Sequence, residues 1–451
     1  MSPYRWSGGS DTSNLTLAFE IAETGLLAGI APAALAREFG TPFYVYDLDL
    51  IADRVAALRA IMPPRFRLAY ATKANPALAV VSHMVRLGLG ADIASAGELE
   101  LVLRAGIDPA LVAMTGPGKR DEELAAAVAA GVGMITVESP AELRRLEGIA
   151  AAAGKRQPIL LRLAVAEDAR LETVRLIGGA GGGKFGMDLD TLTEAAWYSA
   201  ASQSVALLGV HAFGASNLLD AERLAGHVTE LAAIGRHIAV AADAPLKVVD
   251  AGGGLGIPYG DKERPLDLAL LGVRLSEMSA AWEMDPAMSG TQVVFEPGRF
   301  LVGPAGVYVA RVVDVKGSPE SPMVILDGGL NHAMRPALVK QEQRMAVLAP
   351  DVATRRHVQA TVAGPLCTGL DVFANGATLP RPQVGDLMAL LDAGAYGYTE
   401  AMPFFLSHPT AAEVAVMGGQ ARLIRPRITP TEIIDRQLNP DWSRAETEVA
   451  K

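Results

Sequence analysis

Through the first two thirds of the chain, short apolar runs rich in β-branched residues alternate with amphipathic, Ala/Leu-rich stretches. The runs 67–72 (RLAYAT), 91–94 (ADIA), 111–115 (LVAMT), 134–138 (MITVE), 159–165 (ILLRLAV), 206–213 (ALLGVHAF), 246–251 (LKVVDA) and 292–296 (QVVFE) read as strands. The stretches 76–87, 96–105, 119–130, 139–153, 189–202, 219–239 and 267–285 read as helices, and one more helix, 47–61, precedes the first strand. Eight strands, each coupled to a helix, predict an α/β fold with a parallel (β/α)8 TIM-like barrel over 40–300. A doubly wound open sheet is the alternative. Beyond residue 300 the helical period fades. VYVARVVDVKG (307–317), MVILDGG (323–329), QATVAGPLC (359–367), LMALLDAG (387–394) and AEVAVMGGQARLIRPR (412–427) are strand-like, with Gly and Pro turns. They predict an all-β domain over 301–427 that residues 1–39 join, with a strand expected at 14–22. Residues 428–451 read as a charged tail, helical or loose.

Composition narrows the class. The chain has 451 residues, half of them hydrophobic, and a net charge of −10 with no basic block, which argues against nucleic acid and anionic membranes. The longest uncharged run, which includes Tyr198 to Leu219, carries Gln203, His211, Asn217 and four serines and is too polar to span a bilayer. The N-terminus has no apolar segment of the secretory kind. A single cysteine, Cys367, rules out an internal disulfide. A soluble, cytoplasmic protein acting on a small molecule is the expectation.

In such barrels the chemistry sits at the C-terminal ends of the strands. Lys73 follows the first strand, in AYATKANP (69–76). A buried ammonium is costly unless it is paired or neutral, so this lysine asks for a purpose. Asp92, Ser95 and Glu98 follow the second strand, Gly116 the third and Glu138 the fourth. Arg162 lies on the fifth, and His211 and Phe213 on the sixth. DAGGGLG (250–256) puts three glycines after the seventh, where backbone N–H groups can surround a phosphate; a tight βα turn is the plain alternative. GGGKFG (181–186) reads as a ligand-covering loop or a flexible surface loop. EPGR (296–299) joins a strand-end carboxylate, Glu296, to Arg299 across a Pro-Gly turn. Cys367 alone reads as a small buried hydrophobe. A strand-end lysine suits Schiff-base chemistry, a triglycine turn suits a phosphate, and a carboxylate can keep a pyridine nitrogen protonated. Together they describe a pyridoxal phosphate site. No metal site is expected.

Several motifs run in order along residues 40–427: TPFYVYD (41–47), YATKANP (70–76), DIASAGEL (92–99), GPGKRDEEL (116–124), KFG (184–186), GVHAFGAS (209–216), DAGGGLGIPY (250–259), EPGR (296–299), DGGLNHAMRPAL (327–338), GPLCTGLD (364–371) and GAYGYT (394–399). In these the sequence resembles the fold-type III pyridoxal-phosphate-dependent decarboxylases, most closely the diaminopimelate decarboxylase branch of the diaminopimelate/ornithine group. The resemblance implies a pyridoxal-phosphate-binding barrel with a C-terminal all-β domain, the alanine racemase/ornithine decarboxylase arrangement. It implies that Lys73 carries the cofactor as a Schiff base, with Asp92, His211 and Ser216 beside it. Gly253, Gly254, Gly298 and Arg299 would hold the phosphate, and Glu296 the pyridine N–H. Phe213 stands where the family stacks a histidine on the ring; it can stack but cannot hydrogen-bond. Cys367 would return a proton to the substrate from the partner subunit of a homodimer with interface active sites, and Tyr396 would reach cofactor and substrate. Arg299, Arg335 and Thr368 would line the substrate.

Two departures stand out. Val339 replaces a tyrosine, and Thr368 replaces the glutamate or aspartate that meets a distal ammonium. The H-x-F pattern, GPGKRDEEL and GPLCTGLD are also similar to an atypical branch found with exosortase or natural-product gene sets. The expectation is a decarboxylase for an amino acid or derivative, free or carrier-tethered, without a free distal ammonium. Diaminopimelate decarboxylase proper is the alternative, and a racemase or a silent cofactor-binding homologue stand further off.

Overall fold

The computed structural model describes residues 12–165, 184–340 and 343–440. Eight parallel strands close into a barrel: Phe66–Ala71, Gly90–Ile93, Val112–Met114, Met134–Val137, Gln157–Arg162, Val205–His211, Val248–Asp250 and Gln292–Phe295. The last pairs with the first through Phe66 opposite Val293 and Leu68 opposite Phe295, so no open edge remains. Each lies within a residue or three of the expected run. Five of the helices between them begin at Ser or Asp side-chain caps: Ser95, Ser139, Asp188, Asp220 and Asp267 each accept a backbone N–H of the first turn. A strand, a polar cap and an amphipathic helix thus repeat, and the polar residues collect on one rim. Among the described residues no helix is long and apolar enough to cross a membrane.

The second domain is built on a nine-stranded sheet. Its centre is the long strand Gly306–Gly317, which pairs antiparallel with Phe43–Asp47, Pro322–Leu326 and Leu387–Leu390. Phe43–Asp47 lies inside the span expected for the barrel, yet it joins this sheet, running parallel to Ala412–Met417. Every residue in it is buried. Alternation sends Phe43 and Val45 to a cluster with Leu17, Ile21 and Leu35, and Tyr44 and Tyr46 to the main core. The strand expected at 14–22 is instead a helix, Leu17–Thr24. Thr16 caps it by accepting from the Ala18 N–H, and Leu17, Glu20 and Ile21 fall on one buried face at helical spacing. The buried Glu20 carboxylate accepts from the Ala28 and Gly29 N–H groups, which holds the following loop.

The two domains share buried polar ties. Arg54, on the helix Leu48–Ala60, donates from Nε to the Phe300 carbonyl and from Nη1 to the Leu15 carbonyl, and its guanidinium lies 4.3 Å from the Phe300 ring centre. Burial pulls this guanidinium down to about 9, against the pull of Asp392, so it remains a cation at neutral pH. Arg54→Met keeps the bulk but strands two buried carbonyls, each costing roughly 1–3 kcal/mol. The variant is expected to lose about 2–5 kcal/mol, read as a lower urea midpoint by circular dichroism; an unchanged midpoint would show that these ties contribute nothing.

Candidate active site

The first barrel strand ends in a short turn, Thr72–Ala74, that carries Lys73. Asn75 closes the turn: its Oδ1 accepts from the Ala77 N–H and its Nδ2 donates to the Gly394 carbonyl, 2.9 Å away in the second domain. The Tyr396 N–H donates to the Ala74 carbonyl at 2.8 Å. The lysine is therefore fixed from both domains. Its side chain is half exposed, but to a cleft rather than to the outer surface, and its Nζ donates to Asp92 Oδ2 at 2.9 Å. Burial opposes the charge on Lys73, but Asp92 and then Glu296 outweigh it and hold the ammonium above the ordinary lysine range. Asp92 is itself pushed upward by burial and by Glu296, with Lys73 pulling the other way; the direct 2.9 Å contact favours the charged pair.

Glu296 and Asp250 lie behind this pair, both fully buried. Burial, then Glu296, pushes Asp250 well above its usual range, while Glu296, also raised by burial, is drawn down by Lys73 and Arg162. Of the two, Asp250 is the group pushed towards its protonated form, while Lys73 and Arg162 draw Glu296 towards its charged form. Asp250 Oδ1 accepts from the Gly252 N–H, which ties the dyad to the triglycine turn. Glu296 Oε1 has no hydrogen-bond partner among the described residues. His211 does not line the cleft. It sits beneath, with Nε2 3.7 Å from Glu296 Oε2, and burial followed by Arg162 lowers it to about 3. It is neutral, so this contact is no ion pair. His211, Asp250 and Glu296 offer donor atoms within 4.8 Å of one another, a spacing a metal ion could bridge. The free Glu296 oxygen suits a cationic ring N–H equally well.

Above this floor opens a cleft of about 340 Å3. Lys73 and Glu296 line it, with Phe213, Ser216, Asn217, Gly253, Gly254, Gly298, Arg299 and Tyr396. Gly254 has φ +95°, and a Cβ there would stand 2.8 Å from the Ala215 carbonyl oxygen; one on Gly253 would stand 2.6 Å from the Glu296 carbonyl oxygen. The Phe213 ring packs on this turn, 3.0 Å from where a Gly252 Cβ would be. Arg299 donates to Tyr259 Oη at 2.7 Å and to Ser216 Oγ at 3.1 Å, and has no carboxylate partner among the described residues. A free guanidinium, a hydroxyl and a glycine turn make an anion site at one end. A partnerless buried carboxylate oxygen waits in the floor, and a lysine stands beside both. The donor set fits pyridoxal phosphate: phosphate at the turn, ring nitrogen at Glu296, aldehyde carbon at Lys73.

The Arg299 and Arg335 guanidiniums each lie 4.8 Å from the Tyr396 ring centre, and Arg335 pairs with Glu400 at 3.0 Å. Cys367 and Thr368 are not among the lining residues. They sit on the loop after His357–Ala363, and Cys367 is exposed, so the reading of it as a buried hydrophobe fails. Arg162 is committed to Glu138, whose Oε2 accepts from the Gly186 N–H, and stacks on Phe185 at 4.5 Å. The glycines 181–183 lie outside the described residues. Sequence reasoning passed over Tyr259, Asn217 and the burial of Asp250 beside Glu296. All three lie in or beside the motifs around the triglycine turn, so position was a usable signal.

The comparisons with known proteins agree with this geometry. Residues 48–303 match the family model described as pyridoxal-dependent decarboxylase, pyridoxal binding domain. A diaminopimelate decarboxylase of Zymomonas mobilis is 31% identical over 90% of this chain and 95% of its own. The L-glutamyl-[BtrI acyl-carrier protein] decarboxylase of Niallia circulans is 30% identical over 90% and 96%. The crystal structure of diaminopimelate decarboxylase from Helicobacter pylori complexed with L-lysine superposes with a TM-score of 0.81 at 29% identity, over 89% of this chain and 98% of that one. The chain belongs to the pyridoxal-dependent decarboxylases, of the diaminopimelate decarboxylase-like group, and is a pyridoxal-phosphate-dependent amino-acid decarboxylase.

Proposed function

We propose that the enzyme removes the α-carboxylate of an amino acid or amino-acid derivative that lacks a free distal ammonium. The observation that carries this reading is the charge around Tyr396, which lines the cleft. Two guanidiniums flank Tyr396, the nearby carboxylate Glu400 is already paired to one of them, and the neutral Thr368 stands where the family's acid would be. A buried ammonium there would be repelled and unpartnered. The carrier-bound substrate named for the Niallia circulans relative supports a tethered form.

The residues divide the work. Pyridoxal phosphate, when bound, supplies a ring that accepts the electron pair left as CO2 departs. Lys73 must become neutral to react, and Asp92 Oδ2 is placed to take its proton, since burial already favours the protonated carboxyl. Glu296 would meet the ring nitrogen, with Lys73 and Arg162 favouring its ionised form and burial favouring the protonated form of Asp250. Phe213, packed on the triglycine turn, would give a bound ring an apolar wall. Gly253, Gly254, Gly298, Ser216 and Arg299 would hold the phosphate, with Tyr396 against Arg299. Cys367 returns a proton at Cα from the partner subunit of a homodimer. Supporting that assembly, the Cys367 loop and the segment 402–407 both hydrogen-bond to Leu330 or its Asp371 support, and they leave Leu370, Phe404 and Leu406 exposed.

Three outcomes test these roles. The purified, cofactor-loaded protein is expected to absorb visible light, lose the band on borohydride treatment and carry the label on Lys73; a label on another lysine refutes the assignment. Mixed Lys73→Ala and Cys367→Ala chains, each inactive alone, are expected to regain activity after subunit exchange, and none would return if both groups came from one chain. Activity on meso-diaminopimelate, lysine and ornithine is expected to be weaker by roughly 30- to 1000-fold than on a substrate with an uncharged or anionic end, for a deficit of roughly 2–4 kcal/mol. A kcat/KM on meso-diaminopimelate of about 10⁴ M⁻¹s⁻¹ or more, measured by CO2 release, would sink the reading.

A further inference from the structure

Beside the cleft, against Tyr396, lies one pairing that the cofactor site does not use. Arg335 is nine-tenths buried, yet only its Nη1 is engaged, by Glu400 Oε2 at 3.0 Å. Its Nε has no partner among the described residues. Glu400 is about one third exposed, and its Oε1 accepts no hydrogen bond there either. The bond is single rather than the two-pronged arrangement that would exhaust both groups. Arg335 and Glu400 are not themselves among the lining residues, but Tyr396 is, and its ring centre lies 4.8 Å from both the Arg335 and the Arg299 guanidinium, so the pair adjoins the cleft at Tyr396.

We infer that Glu400 is a specificity-determining residue, and that with Arg335 it selects a substrate whose far end is a neutral amide. The pair offers a free N–H donor and a free carboxylate acceptor side by side, with a net charge of zero. An amide presents the complement, a carbonyl for Arg335 and an N–H for Glu400. A distal carboxylate places a second anion against Glu400 and must break the 3.0 Å ion pair to reach Arg335. A distal ammonium meets Glu400 but also two guanidiniums. Polar groups left unpaired in such a site make the discrimination large. This rests on the decarboxylase reading above and narrows it from any end without an ammonium to one end group.

The test uses matched amino acids: L-glutamine, L-glutamate and L-ornithine, and L-homoglutamine, L-2-aminoadipate and L-lysine one carbon longer. Each is added to the cofactor-loaded enzyme, and two quantities are read: half-saturation of the change in the visible band, and CO2 release. The amide of the better-fitting length is expected to exceed its carboxylate by tenfold or more in kcat/KM. In Glu400→Gln that ratio is expected to fall at least tenfold, mainly through a lower KM for the carboxylate. The visible band of the variant reports that its site is assembled, and Glu400→Ala should shift the ratio in the same direction. A native preference for the carboxylate, a ratio unmoved by both variants, or no spectral response to any of the six overturns the inference. The ammonium arm is separate: a native preference for ornithine or lysine overturns the broader reading as well, whereas a carboxylate preference overturns only this one.

Discussion

Three carboxylates, Asp92, Asp250 and Glu296, converge on the barrel floor, and that concentration of buried negative charge governs the rest of the site. Taking even one carboxylate out of water costs several kcal/mol unless it is paired or protonated. The chain answers each differently. Asp92 is met by Lys73, Asp250 is pushed towards its protonated form, and Glu296 is drawn towards its charged form by Lys73 and Arg162. His211, pressed against Glu296, is kept neutral by burial and adds no compensating charge. The arrangement is short of one cation, and a ring N–H above Glu296 would supply it. The affinity of the floor for a protonated heterocycle thus follows from charge balance as well as from shape.

The rim answers the floor with the opposite sign. Arg299 has no carboxylate of its own, and it stands beside a turn where only glycine lets the backbone come close. The cofactor that fits has a cationic ring and an anionic tail, and the cleft has the reverse polarity along its length. The Phe213 ring on the triglycine turn gives the site an apolar wall in place of a titratable one, so no charge change at that wall is available near neutral pH.

Much of this was legible in the sequence because a closed barrel sends every strand end to one rim. Once AYATKANP, DAGGGLG and EPGR are placed at strand ends, Lys73, the glycines, Glu296 and Arg299 must be neighbours. The misread elements fail for local reasons. Residues 14–22 alternate like a strand, but the Thr16 cap commits them to a helix. FYVYD has no polar face, so its alternation could not reveal that two different cores claim its two sides. His211 beneath Glu296, and Glu400 on Arg335, depend on how separate loops meet, and no spacing along the chain encodes that.

The placement of Phe43–Asp47 bears on how the enzyme is made. This strand leaves the ribosome early, but its partners Gly306–Gly317 and Ala412–Met417 come at least 260 residues later. The barrel can close as soon as Phe295 has emerged, while the sheet beside it still waits. The Ala74 and Asn75 backbone turn receives its two ties from Tyr396 and Gly394 only near the end of synthesis. The lysine is therefore among the last parts of the molecule to be fixed. A truncated or stalled chain can present a closed barrel without a finished site.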